Sequence, residues 1–353
     1  MWRYLSSLPL KRPASIATLG EGNTALVPSL RLGSALGLKQ LWFKLESQNP
    51  TGSFKDRFAS LAVSLMREEG RTKILATSSG NTGSALAAYA ARFGLDLELY
   101  VLENAPEEKL LQCLAFGARI FKVRNFGISQ HATDAVFRRL QDRARTQKST
   151  LLISAVCISP REMEGVKTIA LEICQQLKSS PDHVFIPVGG GGLFVECYHG
   201  FAEAFEKTTV PKMPRLHAVQ PDGCATVVGP MALGRRRAEP VTCTSQISGL
   251  QVASVLDAQD VMDQIVQTGG SGQMVSDASV FCWQRRLIRE EGIYTEPAGA
   301  TAVAGLAAAV EKGLIQPEEQ VVCLVTGNGF KDLKSIEGIV GNAPIPLIEG
   351  DEI

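Results

Sequence analysis

Four short stretches carry residue types that could do chemistry, and each closes a run that reads as a β-strand. Asn49-Pro50-Thr51-Gly52-Ser53-Phe54-Lys55-Asp56-Arg57 places a lysine where Pro50 and Gly52 set a turn and a helix begins. A helix N-terminus disfavours a cation, and burial adds to that, so the neutral amine needed for Schiff-base chemistry becomes accessible at Lys55. Taken alone, a surface lysine explains the stretch more simply. Thr77-Ser78-Ser79-Gly80-Asn81-Thr82-Gly83 offers successive amides and hydroxyls at a helix start, which suits a carboxylate or phosphate; a capped helix with no ligand is the alternative. Val188-Gly189-Gly190-Gly191-Gly192-Leu193 lets backbone amides wrap an anion, and the helix from about Leu193 adds roughly 0.3–1 kcal/mol through its dipole. This string is neither GxGxxG with a later acidic residue nor GxxxxGK[ST], so a phosphate cup for a small cofactor fits better than a nucleotide site. Thr326-Gly327-Asn328-Gly329-Phe330-Lys331-Asp332 puts a hydroxyl at a strand end, where it could meet a heteroaromatic nitrogen, or else supplies two turn glycines.

The elements that must position these loops alternate. Strands are expected at Leu41–Glu46, Lys73–Thr77, Leu97–Leu102, Arg119–Val123, Leu151–Ser154, Val184–Val188, Leu216–Gln220 and Val321–Thr326. Helical patterns lie between them at Phe58–Glu69, Gly83–Phe93, Ser129–Arg145 and Gly165–Leu177. Such alternation predicts an α/β fold with parallel sheets buried on both faces, whose ligands bind beyond the carboxyl ends of the strands. A length of 353 residues suggests about two domains at ~150 residues each, and with no linker between them they must be interleaved.

Composition narrows the function. At 45% hydrophobic and 20% charged residues, disorder is excluded. Thirty-six basic side chains balance thirty-six acidic ones, which removes the electrostatic case for nucleic acid. No apolar run approaches the ~20 residues of a membrane span. The eight cysteines are scattered singly with no CxxC, and no histidine stands at a zinc-like spacing from one, so the expectation is reduced, mostly buried thiols, no metal and a cytoplasmic location.

Taken in this order, the four stretches resemble the fold type II pyridoxal-phosphate enzymes, and most closely the threonine synthase family. The resemblance runs from Trp2-Arg3-Tyr4, Leu8-Pro9 and Gly20-Glu21-Gly22-Asn23-Thr24 to Thr326–Asp332. It implies pyridoxal 5'-phosphate as cofactor, two doubly wound α/β domains with the cofactor in the cleft between them, and a homodimer acting on a small amino acid. Residues 1–58 plus 158–353 would form the large domain, and 59–157 a smaller mobile one. Lys55 would carry the cofactor as a Schiff base and move the Cα proton. Asn81 would hydrogen-bond the cofactor's phenolic oxygen. Gly189, Gly190, Gly191, Gly192 and Leu193 would hold its phosphate, and Thr326 would sit against the pyridine nitrogen. Ser78, Ser79 and Thr82 would hold the substrate carboxylate. The family also places Glu296-Pro297-Ala298 near the site wall, with no role assigned.

One stretch departs from the family. Threonine synthases seat the leaving phosphate of O-phosphohomoserine on a segment shaped like Asn-Ser-x-Asn-Pro-x-Arg-x-x-Gly-x-Lys-Thr. Pro160, Gly165, Lys167 and Thr168 match it, but Val156, Ser159 and Glu162 replace the two asparagines and the arginine. Lost charged hydrogen bonds cost ~1.5–3 kcal/mol each, so two reduce phosphate binding by roughly 10²–10⁴. Glu162 and Lys167 are therefore candidate substrate contacts, with Arg161 as a possible substitute. Two reactions follow as expectations: threonine synthesis from O-phosphohomoserine, or β-elimination or β-replacement on another amino acid. A non-catalytic relative of the fold is a third.

Overall fold

The computed structural model describes residues 1–78, 80–105, 107–126, 130–341, 343–345 and 347, with the side chains of 109 and 130–134 left aside. Among them are ten strands: β1 (Leu26–Pro28), β2 (Gln40–Leu45), β3 (Lys73–Ala76), β4 (Asp96–Leu102), β5 (Arg119–Val123), β6 (Thr150–Leu152), β7 (His183–Pro187), β8 (Arg215–Pro221), β9 (Gly272–Val275) and β10 (Gln320–Val325). The helices of ten or more described residues are α1 (Lys55–Glu69), α2 (Asn81–Phe93), α3 (Gln130–Thr146), α4 (Thr168–Leu177), α5 (Gly192–Glu206), α6 (Ala258–Gln267), α7 (Asp277–Glu291) and α8 (Pro297–Glu311).

Two sheets result. The larger runs β1-β2-β10-β7-β8-β9 and the smaller β5-β4-β3-β6. Every pairing is parallel except β1 with β2. Parallel neighbours need crossovers, which lay helices on both faces and bury the strands between them; β7 is buried at all five positions. The smaller sheet is built wholly from residues 73–152, and β10, from the far end of the chain, slots between β2 and β7. The first and last parts of the chain thus share one sheet.

Each of the eight expected strands forms, with ends moved by at most two residues. Small residues set the tightest packing. Helix α8 is rich in alanine and glycine, and a Cβ on its Gly305 would come within 2.3 Å of Val219 on β8, so no larger residue fits that crossing. The helix that opens with Lys55 is anchored by charge. Arg57, fully buried, donates to Glu46 from Nε and Nη2 at 2.7 Å each, to Glu172 from Nη1 at 2.8 Å and Nη2 at 2.7 Å, and to Thr168 Oγ1 at 2.9 Å. Lys44 Nζ completes the cluster, 2.8 Å from Glu172. A buried cation flanked by two carboxylates is tolerable because every partner is hydrogen-bonded. All eight cysteines are free thiols, five of them buried.

Candidate active site

Lys55 is the first residue of α1. The turn before it needs Gly52, at φ +87°, and is fastened to the loop after β10: Phe54 N–H donates to Thr326 O at 3.1 Å, and Asn328 N–H to Gly52 O at 2.9 Å. Asp56 ties the turn from the helix side, accepting from Thr51 N–H and from Thr51 Oγ1 at 2.8 Å; burial pushes its carboxyl up to about 7. Thr326 therefore lies beside the residue that precedes the lysine.

The Lys55 amine donates to Ser154 Oγ at 2.7 Å and lies 4.5 Å from the centre of the Phe54 ring. Burial lowers it to about 8, against the fields of Asp257 and Glu296, which raise it. A lysine so placed has a usable neutral amine near physiological pH. Ser154, two residues past β6, also meets Thr82 Oγ1 at 2.9 Å, so its hydroxyl joins the lysine stretch to the Ser-rich one. Helix α2 starts on Gly80 with no side-chain cap, which leaves its first amides open to a carboxylate. Asn81 Nδ2 donates to Glu296 Oε1 at 2.8 Å. The same carboxylate packs on Gly327, where a Cβ would approach it to 2.0 Å.

The glycine stretch turns from β7 into α5 through Gly191, at φ +106°, and this helix too begins without a side-chain cap. Side chains are excluded along the loop. A Cβ on Gly189 would lie 3.0 Å from Gly249 O, one on Gly191 3.0 Å from Asp257 and Val261, and one on Gly192 2.7 Å from Met163 Cε. Bare amides at the start of a fifteen-residue helix, in a cradle that a Cβ would fill, fit a phosphate group. Asp257 stands beside this cradle. Its N–H donates to Gly190 O at 3.0 Å, and its carboxylate accepts from Val156 N–H and Cys157 N–H at 2.8 Å each.

Contacts through Ser154, Glu296 and Asp257 thus tie together the loops of Lys55, Thr82, Asn81, Thr326 and Gly189–Leu193 at the carboxyl ends of strands. Ser78 stands in the loop after β3, its hydroxyl accepting from Gly80 N–H at 3.3 Å; Ser79 lies outside the described residues. The other two candidates are engaged elsewhere. Lys167 Nζ pairs with Glu164 at 2.9 Å and Glu203 at 3.4 Å. Glu162 is raised by burial, and the charges around it belong to Arg161, Glu69 and Arg71. Arg161 reaches Glu69 at 2.8 Å, and Glu69 ends the helix that Lys55 begins, about 21 Å along its axis. Ser154 and Asp257 carry no motif and were missed. Lys331 closes the same loop after β10; its amine donates to Ser84 Oγ at 3.0 Å and Gln112 Oε1 at 2.6 Å, between the fields of Glu296 and Asp56.

The pyridoxal-phosphate dependent enzyme family matches residues 17–327. The threonine synthase of Methanocaldococcus jannaschii is 36% identical, over 94% of this chain and 80% of its own length. The chain belongs to the threonine synthase family of pyridoxal-phosphate-dependent enzymes. The threonine synthase of a Bacillus species (strain ULM1) is likewise 36% identical, over 94% of this chain and 89% of that protein. Among solved structures, processed threonine deaminase isoform 2 from Solanum lycopersicum superposes with a TM-score of 0.76 at 22% identity, over 97% of this chain and 88% of that one. The fold is that of the fold type II enzymes. This family member is a lyase of the threonine synthase-like kind whose cofactor is pyridoxal 5'-phosphate.

Proposed function

We propose that this lyase eliminates the β-hydroxyl of an unphosphorylated small amino acid, serine or threonine, giving a 2-oxo acid and ammonia. One observation carries the choice of substrate: the cations of the stretch that seats a substrate phosphate in the family are spent on protein carboxylates, Arg161 on Glu69 and Lys167 on Glu164 and Glu203. In this reading the glycine loop and the start of α5 take the cofactor phosphate, Asn81 takes its phenolic oxygen and Thr326 its ring nitrogen. Bound there, the cofactor supplies an electron sink for negative charge at Cα. The start of α2, with Ser78, Ser79 and Thr82, receives the substrate carboxylate. Lys55 Nζ, at about 8, holds and releases the Cα proton near neutral pH, and Ser154 and Thr82 keep it aimed. Residues 59–157 would close as a unit over the cleft and exclude water. A homodimer in the cytosol completes the proposal.

Threonine synthesis from O-phosphohomoserine is the second reading, favoured by the relatives at 36% identity. Purified protein supplied with pyridoxal phosphate is incubated with serine, threonine and O-phosphohomoserine, and 2-oxo acid, ammonia, phosphate and threonine are followed together. The expected result is 2-oxo acid with ammonia from the first two, lost in Lys55→Ala. Release of phosphate together with threonine would overturn this choice in favour of threonine synthesis.

A further inference from the structure

We infer that Asp257 is a specificity-determining residue, a built-in anion that bars substrates whose leaving group is negatively charged. The inference rests on the lyase reading and names the substrate class of the same site. Two successive amides, Val156 and Cys157, point at one spot just past Ser154, the residue that holds the Lys55 amine. Paired amides of this kind receive an anion. Here the anion comes from the protein: each oxygen of Asp257 takes one amide at 2.8 Å, and the residue is 1% exposed. Its place is held from the opposite side as well, by its own N–H on Gly190 O and by contact with Gly191 and Gly192.

The charge surroundings point the same way. Asp257 and Glu296 are the charges whose fields reach Lys55, and both are negative. Arg161 and Lys167, the cations of the neighbouring 160–168 segment, are each paired to glutamates. Cys157 is exposed, and partial burial and the Asp257 carboxylate push its thiol up to about 12, so it carries no charge. A cofactor phosphate at the glycine loop is offset by uncapped helix amides. A second phosphate near residues 156 and 157 would find its amides already taken. A neutral hydroxyl leaving group meets none of these penalties.

The magnitude follows from Coulomb's law. At an effective dielectric of ~20, a dianion ~8 Å from a carboxylate is disfavoured about a thousandfold, and solvent screening leaves about 100-fold as the expected discrimination. The experiment titrates the pyridoxal-phosphate-loaded protein with L-serine and with O-phospho-L-serine, reading half-saturating concentrations from the cofactor's visible absorbance in the steady state. The wild type should hold L-serine about 100-fold more tightly. In Asp257→Ser, which frees the amide pair, that ratio should fall at least about tenfold. Equal or tighter binding of the phosphorylated ligand by the wild type overturns the inference. So does an unchanged ratio in a variant that keeps its melting temperature and its cofactor band, an outcome that leaves the lyase reading standing. Lack of a cofactor band, or of any spectral response to either amino acid, rejects both. Asp257→Asn, nearly the same shape without the charge, gives the same comparison if the serine variant does not fold, and should narrow the ratio in the same direction.

Discussion

Replacing Arg57 by methionine keeps an unbranched apolar stem and removes the guanidinium with its charge. Four charge-assisted hydrogen bonds go with it, two to Glu46 and two to Glu172. Simple addition at ~1.5–3 kcal/mol each would give about 6–12 kcal/mol, but a stranded carboxylate has a cheaper exit, which is to take up a proton. Glu46 would keep only Thr24 Oγ1 at 2.7 Å and Asn49 Nδ2 at 2.8 Å, whereas Glu172 would keep Lys44 at 2.8 Å. The expected loss near pH 7.5 is therefore about 3–5 kcal/mol. Its pH dependence is the sharper test. Burial alone would raise both carboxyls, but Arg57 overcomes it and, with Lys44, holds them below the ordinary glutamate range. A depressed folded-state pKa gives stability that is present above the ordinary value and lost as pH falls through the folded one, so the wild type retains this contribution at pH 5. In Arg57→Met the sign reverses for Glu46, which binds a proton in the folded state more readily than in the unfolded one. Lowering the pH from 7.5 to 5 then stabilises the variant relative to the wild type. Urea unfolding of both proteins at the two pH values, followed by tryptophan fluorescence, gives the gap from midpoint and slope. A gap below about 1 kcal/mol, or one that does not shrink at pH 5, would refute the reasoning.

Cofactor uptake by the free protein requires the neutral form of Lys55, so its rate, followed by absorbance or by borohydride trapping, should climb with pH to a midpoint of about 8. A midpoint above 10 would show that burial does not act on the amine as argued. Gly191→Ala forces a Cβ to φ +106° and to 3.0 Å from Asp257 and Val261. With strain of about 1–3 kcal/mol, cofactor affinity should fall roughly 5–150-fold in an absorbance titration, and an unchanged constant would mean the loop is not the phosphate seat.

Much of this was legible in the sequence because strong local signals coincide with burial. The turn ahead of Lys55 marks the start of α1 although the apolar pattern becomes regular only from Phe58, and the apolar runs at β7 and β10 are central strands covered on both faces. The strands that escaped notice are β1 and β9, the two edges of the larger sheet. Leu26–Pro28 is three residues long and ends in proline; Gly272–Val275 begins with glycine and exposes Met274. An edge strand needs to hide only one flank, so its pattern is weak. In the site, residues inside motifs could be read, whereas those supplied by tertiary packing could not. Ser154 follows a short strand with nothing to distinguish its hydroxyl, and Asp257 reads as an ordinary helix cap; only the fold brings each to the lysine or the glycine loop. Lys167 illustrates the reverse, being the right type at the right spacing but already claimed by glutamates, and Arg161, one residue off the family's arginine position, is paired with Glu69.

The fastening of the lysine turn to the loop after β10 has a consequence for how the molecule comes into being. Ser53 bridges to Gly327 and Phe54 to the carbonyl of Thr326, joining segments more than 270 residues apart in the chain. Such long-range closures form slowly and late, because the intervening chain must be ordered first. On a ribosome, the lysine leaves the exit tunnel long before its neighbours across the cleft exist. The turn that carries the amine is therefore not fastened until the chain has been made as far as Thr326 and Gly327.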